Sequence, residues 1–477
     1  MQNRILIGWG TGKVCKKILY ICKMMDVIPN FLTDSSPEKW HKKIFGIEII
    51  PPEDVFKSFQ DAHIAIFCGS KFAPDIKQTL LEKNFNPDFI SSVTNPGELI
   101  FEKWFVESIK RNSKKIFNST KKINQNRVIF CLDNGATCGG VETWAIQQGE
   151  FLEKNNINSY FILNYRDKKE FELPHNSQVI SQDPPEKIIR NWVEAELAIA
   201  NNNSCWIVVN FAGDGLQSAI LAKLMNPYIH ICAVQHSDAE IYYDEYLKYE
   251  RYFDICLTVS NKIKVKLIQR GFSPEKIEIV PWHIDLSKKI KKINLDGPLT
   301  IGYVGRTTIY QKRTDLFASI LSIICQETNN IDFEIAGTGD YLPKLKNIVE
   351  NNKLNNRVHI HGLISHDEIN KLYDKMDIYI SSSDSEGKSI ALAEAMSNGV
   401  VPVVTDVSGS DDLIEDGVNG FIVPIHDVDA VVSKIKYLNK NRDLIMDMSV
   451  KAREAVSKMN NEYEIWKYKM LNLLNKN

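Results

Sequence analysis

The chain is poor in several of the features that commit a protein to a class. No stretch approaches the roughly 20 consecutive apolar residues needed to span a bilayer, so no membrane-crossing helix is expected. The opening MQNRILIGWG does not read as a signal peptide, because its apolar run is short and meets glycine at once. Nine cysteines carry no Cys-x-x-Cys pair, and an odd, unpatterned count reads as reduced thiols rather than a disulfide framework. Strong charge of one sign is missing too: 58 basic against 60 acidic residues leave a formal charge of −2, which argues against nucleic acid as a partner. No internal repeat is present, and the one biased tract is a Lys/Asn-rich segment near residue 115. A cytoplasmic location is expected.

What is present is apolar surface in quantity. Hydrophobic residues make up 44% of 477, enough for real cores and, by size, for about three domains. Apolar strands alternate with amphipathic helical stretches almost throughout, the pattern of parallel α/β sheets. RILIGWGTGKVCKKILYICK opens a first unit as strand, glycine turn and helix, and HIAIFCG supplies a further buried strand. NRVIFCLDNGATCGGVETWAIQQ opens a second in the same way, with strands at CWIVVN, IHICAV and DICLTVS. A third runs from about Leu299 to Ala455, followed by an amphipathic helix, NNEYEIWKYKMLNLL.

The most informative stretch is SSSDSEGKSIALAEAMSNGVVPVVTD. A strand over Ile378–Ile380 runs into small polar residues and Gly387, an alanine-rich helix follows, and a second strand occupies Val400–Val404. A helix beginning near Ser389 aims free N–H groups and a positive dipole end at the edge of the sheet, a ready site for phosphate. Glu386 stands just before that helix and Glu394 two turns on, placed to accept hydrogen bonds from two hydroxyl-bearing groups such as a ribose and a sugar. No His or Cys cluster accompanies them, so they read as acceptors rather than metal ligands.

This stretch resembles the Glu-x7-Glu signature of the retaining family 4 (group 1) glycosyltransferases, which have the GT-B fold. The resemblance continues through LTIGYVGRTTIYQKRTD, FEIAGTGDYLPKL, RVHIHGLISHDEINKLYDKMDIYIS and VPVVTDVSGSDDLIEDGVNGFIVP, in the family's order over roughly residues 299–425. It implies two Rossmann-like domains facing a cleft: an acceptor domain over 126–290 and a nucleotide-sugar donor domain over 291–455. The helix over 456–477 is then expected to cross back. Where many members carry Phe-Gly after Glu-Gly, this chain has Lys388-Ser389, so the identity of the sugar does not carry over.

The family's chemistry is transfer of a sugar from a nucleotide diphosphate sugar. Breaking the anomeric C–O bond leaves a diphosphate whose charge a metal or fixed cations must neutralise. Arg306 offers a bidentate fork and Lys312 a point charge, with the helix N-terminus over Lys388, Ser389 and Ile390 as a third contribution. No Asp-x-Asp motif stands in a suitable loop, so no metal or other cofactor is expected. The resemblance implies that Glu386 holds hydroxyls of the transferred sugar, that Glu394 holds the ribose, and that anomeric configuration is retained. It also places His236, just after a buried strand in AVQHSDAEIYY, near the donor sugar. A satisfied edge histidine is the bland alternative. Gly139 and Gly140 resemble the family's Gly-Gly-x-Glu loop, where missing Cβ atoms let backbone amides approach a ligand. Gly409 reads either as part of a turn near the donor or as a plain turn glycine. Trp282-His283 replaces the usual Asn-Gly ahead of Asp285.

Residues 1–95 pose a separate question. Gly8, Gly10 and Gly12 follow a strand and Asp34 ends the next, nearly a dinucleotide fingerprint, but Lys13 takes the place of the last glycine. The segment resembles the small Rossmann-like domain at the start of bacterial sugar acetyltransferases, which implies a nucleotide-sugar-binding accessory module. It contains no Tyr-x-x-x-Lys pair for dehydrogenase chemistry. Over 96–125 lies a basic linker. Trp104, Phe105, Ile109, Ile116 and Phe117 are interleaved with its cations, which suits either an anionic membrane face or a helix that docks its aromatics on a neighbouring domain. The expected protein is thus a hexosyltransferase-type enzyme acting on a glycan or lipid-linked acceptor in surface polysaccharide (lipopolysaccharide or capsule) synthesis. The rivals are a nucleotide-sugar epimerase of the same fold and a silent nucleotide-sugar-binding protein.

Overall fold

A computed structural model describes residues 4–117, 126–133, 140–164, 174–180, 187–201, 203–287 and 297–475. The chain divides into two compact units, Met1–Ala233 with Tyr252–Asp254, and Val234–Arg251 with Ile255–Asn477.

The first unit begins with strands β1 (Leu6–Trp9), β2 (Phe31–Thr33), β3 (Lys43–Ile44), β4 (Ile47–Ile50), β5 (His63–Ile66) and β6 (Ile90–Ser92). They form one sheet in the order β3-β4-β2-β1-β5-β6, parallel except for the β3–β4 hairpin. Its two-residue turn, Phe45-Gly46, has φ of 53° and 84°, the doubly left-handed geometry that matches strand twist. Ile7, Trp9, Ile64, Ile66 and Leu80 centre its core.

Five further strands follow: β7 (Arg127–Leu132), β8 (Asn158–Asn164), β9 (Ser177–Ile180), β10 (Cys205–Val209) and β11 (Ile229–Gln235). They stand side by side in the order β11-β10-β7-β8-β9, with parallel pairing. Val128 to Leu132 and the whole of β10 are buried, and such unbroken apolar runs are what a parallel sheet covered by helices requires.

The basic stretch expected to link domains contains the helix Lys103–Phe117, whose Trp104, Phe105 and Ile109 are buried in this unit. The Trp104 indole N–H donates to Ser91 Oγ (3.2 Å) and Glu102 Oε2 (3.1 Å). The side chains of Ile116 and Phe117 lie outside the described residues. Just upstream, Gly97 has no room for a Cβ, because the Gln217 amide would lie 2.7 Å from it, and Tyr252 donates its hydroxyl to the Ile100 carbonyl at 2.5 Å. For these residues, docked aromatics are what the fold displays.

The second unit carries β12 (Ile255–Thr258) and β13 (Ile277–Ile279), then β14 (Leu299–Val304), β15 (Ile331–Ala336), β16 (Val358–Gly362), β17 (Ile378–Ser381), β18 (Val401–Thr405) and β19 (Phe421–Val423). The last six make an all-parallel sheet ordered β16-β15-β14-β17-β18-β19 around a core that includes Ile301, Phe317, Phe333, Ile335, Ile380 and Val403. The final helix runs unbroken over Arg442–Asn475. Its Asn460 exchanges hydrogen bonds with the backbone of Ile284, and its Lys469 pairs with Glu278 of β13 at 2.5 Å. Parallel pairing puts the carboxyl ends of β14, β15, β17 and β18 on one edge, where open α/β sheets gather ligands.

Candidate active site at the carboxyl edge of the second unit

The loops after β14 and β15 are pressed together. A Cβ on Gly337 would stand 1.8 Å from the Gly305 carbonyl oxygen, and one on Gly339 would stand 2.3 Å from that of Thr307. Only glycine fits at either position. The β14 loop thus held presents Arg306, exposed, and Lys312, largely covered. Lys312 Nζ lies 2.6 Å from Glu386 Oε1, and the same oxygen accepts from Ser383 Oγ at 2.7 Å. Gln311 bridges the set: its amide nitrogen lies 3.4 Å from Glu386 Oε2, while its amide oxygen accepts from the Arg306 guanidinium at 2.6 Å. Arg306, Lys312 and Glu386, eighty residues apart in sequence at the extremes, therefore form one network.

The helix after Glu386 spans Ile390–Ser397, and Ser389 is its N-cap, accepting from Leu392 N at 3.3 Å. Glu394 sits within it, half-buried, and accepts from the Tyr373 hydroxyl at 3.1 Å. Burial, together with the charge of Glu394, pushes the Tyr373 phenol far up, so it stays a donor at any ordinary pH.

Gly387 is a glycine for a visible reason. A Cβ there would stand 1.8 Å from the carbonyl oxygen of His236 and 3.0 Å from Val259. Gly409, at φ +81°, lies against the same segment, its would-be Cβ 2.9 Å from the Gly387 carbonyl oxygen and 3.1 Å from Lys388 Cα. The fold thus brings His236, Gly387, Lys388 and Gly409 together. Burial pushes the His236 imidazole down to about 3, so it is neutral. Lys388 is pushed down by burial, which the nearby Asp412 and Glu462 partly oppose.

Gly140 begins the helix Gly140–Lys154 after β7, in the first unit, and Gly139 lies outside the described residues. Just past the end of β7, Asp133 is tucked against Gly213 and Gly215 and accepts from Gly215 N at 3.2 Å. Burial, with Asp214 adding to it, raises its carboxyl to about 7.

Residue-level reading missed Ser383, Gln311, Tyr373 and Asp238. Ser383 and Gln311 were visible as polar neighbours of Glu386 and Lys312. Asp238, two residues past His236, binds Lys266 at 2.7 Å, Tyr243 at 2.5 Å and Ser408, fixing the turn before Gly409 to the segment that carries His236. Tyr373 had no signal, since its spacing is that of any core aromatic.

A family model described as "Glycosyl transferases group 1" matches residues 285–455. The chain is 26% identical over 226 residues to the poly(ribitol-phosphate) alpha-N-acetylglucosaminyltransferase of Staphylococcus aureus, covering 47% of this chain and 40% of that protein. It is 29% identical over 218 residues to the amylovoran biosynthesis glycosyltransferase AmsK of Erwinia amylovora, covering 44% and 53%. The chain thus spans about half the length of the curated relatives it matches. A crystal structure of a Staphylococcus aureus TarM mutant with Fondaparinux, alpha-GlcNAc-glycerol and UDP superposes with a TM-score of 0.62 at 12% identity, over 74% of this chain and 100% of that one. The likeness supports the α/β fold with several parallel sheets. No helix among the described residues is long and apolar enough to cross a membrane.

Proposed function

We propose that the chain is a glycosyltransferase that moves a sugar from a nucleotide diphosphate sugar to a glycan or lipid-linked acceptor, with retention, in the synthesis of a surface polysaccharide. The observation that carries this reading is the Lys312–Glu386 pair, joined through Gln311 to Arg306 at the head of the Ser389-capped helix. Two cations and a helix N-terminus on one sheet edge suit a departing diphosphate. A carboxylate held by a lysine and a serine suits sugar hydroxyls, which take the place of those donors. The named relatives, a poly(ribitol-phosphate) alpha-N-acetylglucosaminyltransferase and an amylovoran biosynthesis glycosyltransferase, point to the same class.

In the transfer, an acceptor hydroxyl oxygen bonds to the anomeric carbon as the bond from that carbon to the phosphate oxygen breaks. The hydroxyl proton passes to the leaving phosphate, and a nucleoside diphosphate departs. Arg306 and Lys312 neutralise it, Glu386 positions the sugar, and Glu394, fixed by Tyr373, holds the ribose. His236, neutral, lines the same place as an uncharged donor or acceptor toward the sugar.

The test begins with thermal stabilisation of the purified protein by a panel of UDP-, GDP- and ADP-sugars, since a ligand bound only by the native state raises the melting temperature. The stabilising donor is then offered with acceptors, and the product's anomeric configuration is read by NMR. Transfer with retention, undiminished by EDTA, is expected. Conversion of the donor without an acceptor, or binding without turnover, overturns the proposal.

A further inference from the structure

Lys312 is presented by a turn that is left-handed on both sides of it. Gln311 has φ of 69° and Arg313 φ of 48°, conformations that residues with a Cβ rarely adopt. Something must hold such a turn, and the segment just before Glu386 does so. The Asp384 N–H donates to the Gln311 carbonyl at 2.8 Å, and the Ser382 hydroxyl lies 3.1 Å from the Lys312 carbonyl and 3.0 Å from that of Arg313. The Asp384 carboxylate then accepts from the Arg313 guanidinium at 3.3 and 3.4 Å and from His426 Nε2 at 2.6 Å. His426 is itself left-handed, with φ of 69°. Asp315 takes the other edge of the guanidinium, at 3.0 and 2.9 Å. One carboxylate two residues ahead of Glu386 therefore ties together the turn that carries Lys312 and the loop after β19.

We propose that Asp384 is a positioning residue for the donor site, pinning Arg313 and His426 so that the strained turn 311–313 keeps Lys312 on Glu386. This rests on the glycosyltransferase reading for its effect on turnover, though not for its geometry. Without the Asp384 carboxylate, Arg313 loses one of its two anchors, the turn relaxes toward the right-handed region, and the Lys312 ammonium is drawn off Glu386. Glycine adopts positive φ without steric cost, so a glycine at 313 preserves the turn with no anchor at all.

The experiment compares the full-length wild type with Asp384→Ala, Arg313→Gly and the double variant. Two measurements are made: acylation of Lys312 by an amine-reactive ester, followed by mass spectrometry, and kcat with saturating nucleotide sugar. In wild type Lys312 should react slowly. In Asp384→Ala its acylation should rise at least fivefold and kcat should fall at least tenfold. Arg313→Gly should stay within threefold of wild type, and the double variant should regain most of both losses. A structural role alone does not predict that rescue. Wild-type reactivity of Lys312 in a folded Asp384→Ala protein overturns the proposal, as does a double variant no better than the single one. If Asp384→Ala does not fold, Asp384→Asn, which retains acceptor geometry without the charge, is judged by the same two measurements. Lysine reactivity that follows this pattern while no nucleotide sugar is turned over sinks the function and leaves the positioning intact.

Discussion

Two turns in this chain open on glycine after central strands, Gly10–Gly12 after β1 and Gly305–Lys312 after β14, and each faces a carboxylate that lies just past the end of a neighbouring strand. In the first, Asp34 is spent on its own surroundings. It accepts from the Thr11 hydroxyl, from Ser36 N at 3.0 Å and from Lys39 Nζ at 3.1 Å, while the Trp40 indole takes its carbonyl. Gly8 and Gly10 are glycines because the ring and carbonyl of Phe67 leave no space for a Cβ, at 2.6 and 2.7 Å. In the second, Glu386 is engaged by the tips of Lys312, Gln311 and Ser383, side chains that can swing aside, and Arg306 stands exposed. A backbone amide two residues away cannot be displaced without unfolding the turn, whereas a lysine ammonium can exchange one oxygen for another. The same outline, strand, glycine turn, helix and acid, is thus held partly by a backbone amide in one place and by side-chain tips alone in the other.

The comparison breaks most sharply at the cations. Replacing Lys312 or Arg306 by alanine should reduce kcat about 100-fold, since a lost stabiliser of developing charge costs about 3 kcal/mol. Donor affinity should change much less. Saturating-donor kinetics decide it, and wild-type turnover in both variants would show that this turn takes no part in the chemistry. A smaller effect is expected of Glu394→Ala. Losing a carboxylate acceptor for a ribose hydroxyl should weaken donor binding about tenfold, within the ~1.5–3 kcal/mol of hydrogen bonds to charged groups. Calorimetric titration should register the loss in Kd, with kcat nearly kept. Tyr373→Phe should reproduce part of it, by releasing Glu394.

Much of the second unit was legible because its signals are local. Apolar runs indicated β17 and β18, and Ser389 ahead of an alanine-rich segment indicated the helix start within one residue. Glu386 could be named from its place before the helix, whereas Arg306 and Lys312, which alone read as solvated surface cations, could be named only through the resemblance to the family's motif order. That Gly387 faces the His236 carbonyl could not, since 151 residues separate them and only packing joins them. The reach of Tyr373 to Glu394 has the same origin, as has the anchoring of Gln311 and Arg313 at positive φ, which no rule of residue preference predicts for a glutamine and an arginine. The near-fingerprint at Gly8–Gly12 shows the same limit of reading along the chain. Sequence displays the glycines and the acid, but not the threonine, lysine and amide that already occupy that acid.

Asp34 provides the mildest test and the one that bears on the first turn alone. Burial by itself would raise its carboxyl, but the hydrogen bonds from Thr11, Ser36 and Lys39 outweigh burial and hold it below the ordinary carboxylate range. A carboxyl depressed in the folded state contributes stability that is present above its unfolded pKa, about 3.9, and is lost as pH falls through the lower folded value. Asp34→Asn removes the charge and should destabilise the first unit by about 1–2 kcal/mol at neutral pH, a shift of a few degrees in its melting transition. The gap between variant and wild type should close as the medium is taken from pH 6 toward pH 3, because the wild type then loses the same interaction. Donor affinity of the variant should match the wild type throughout. If Asp34→Asn instead weakened nucleotide-sugar binding at unchanged stability, its carboxylate would be exchanging partners with a ligand, and the two turns would be alike after all.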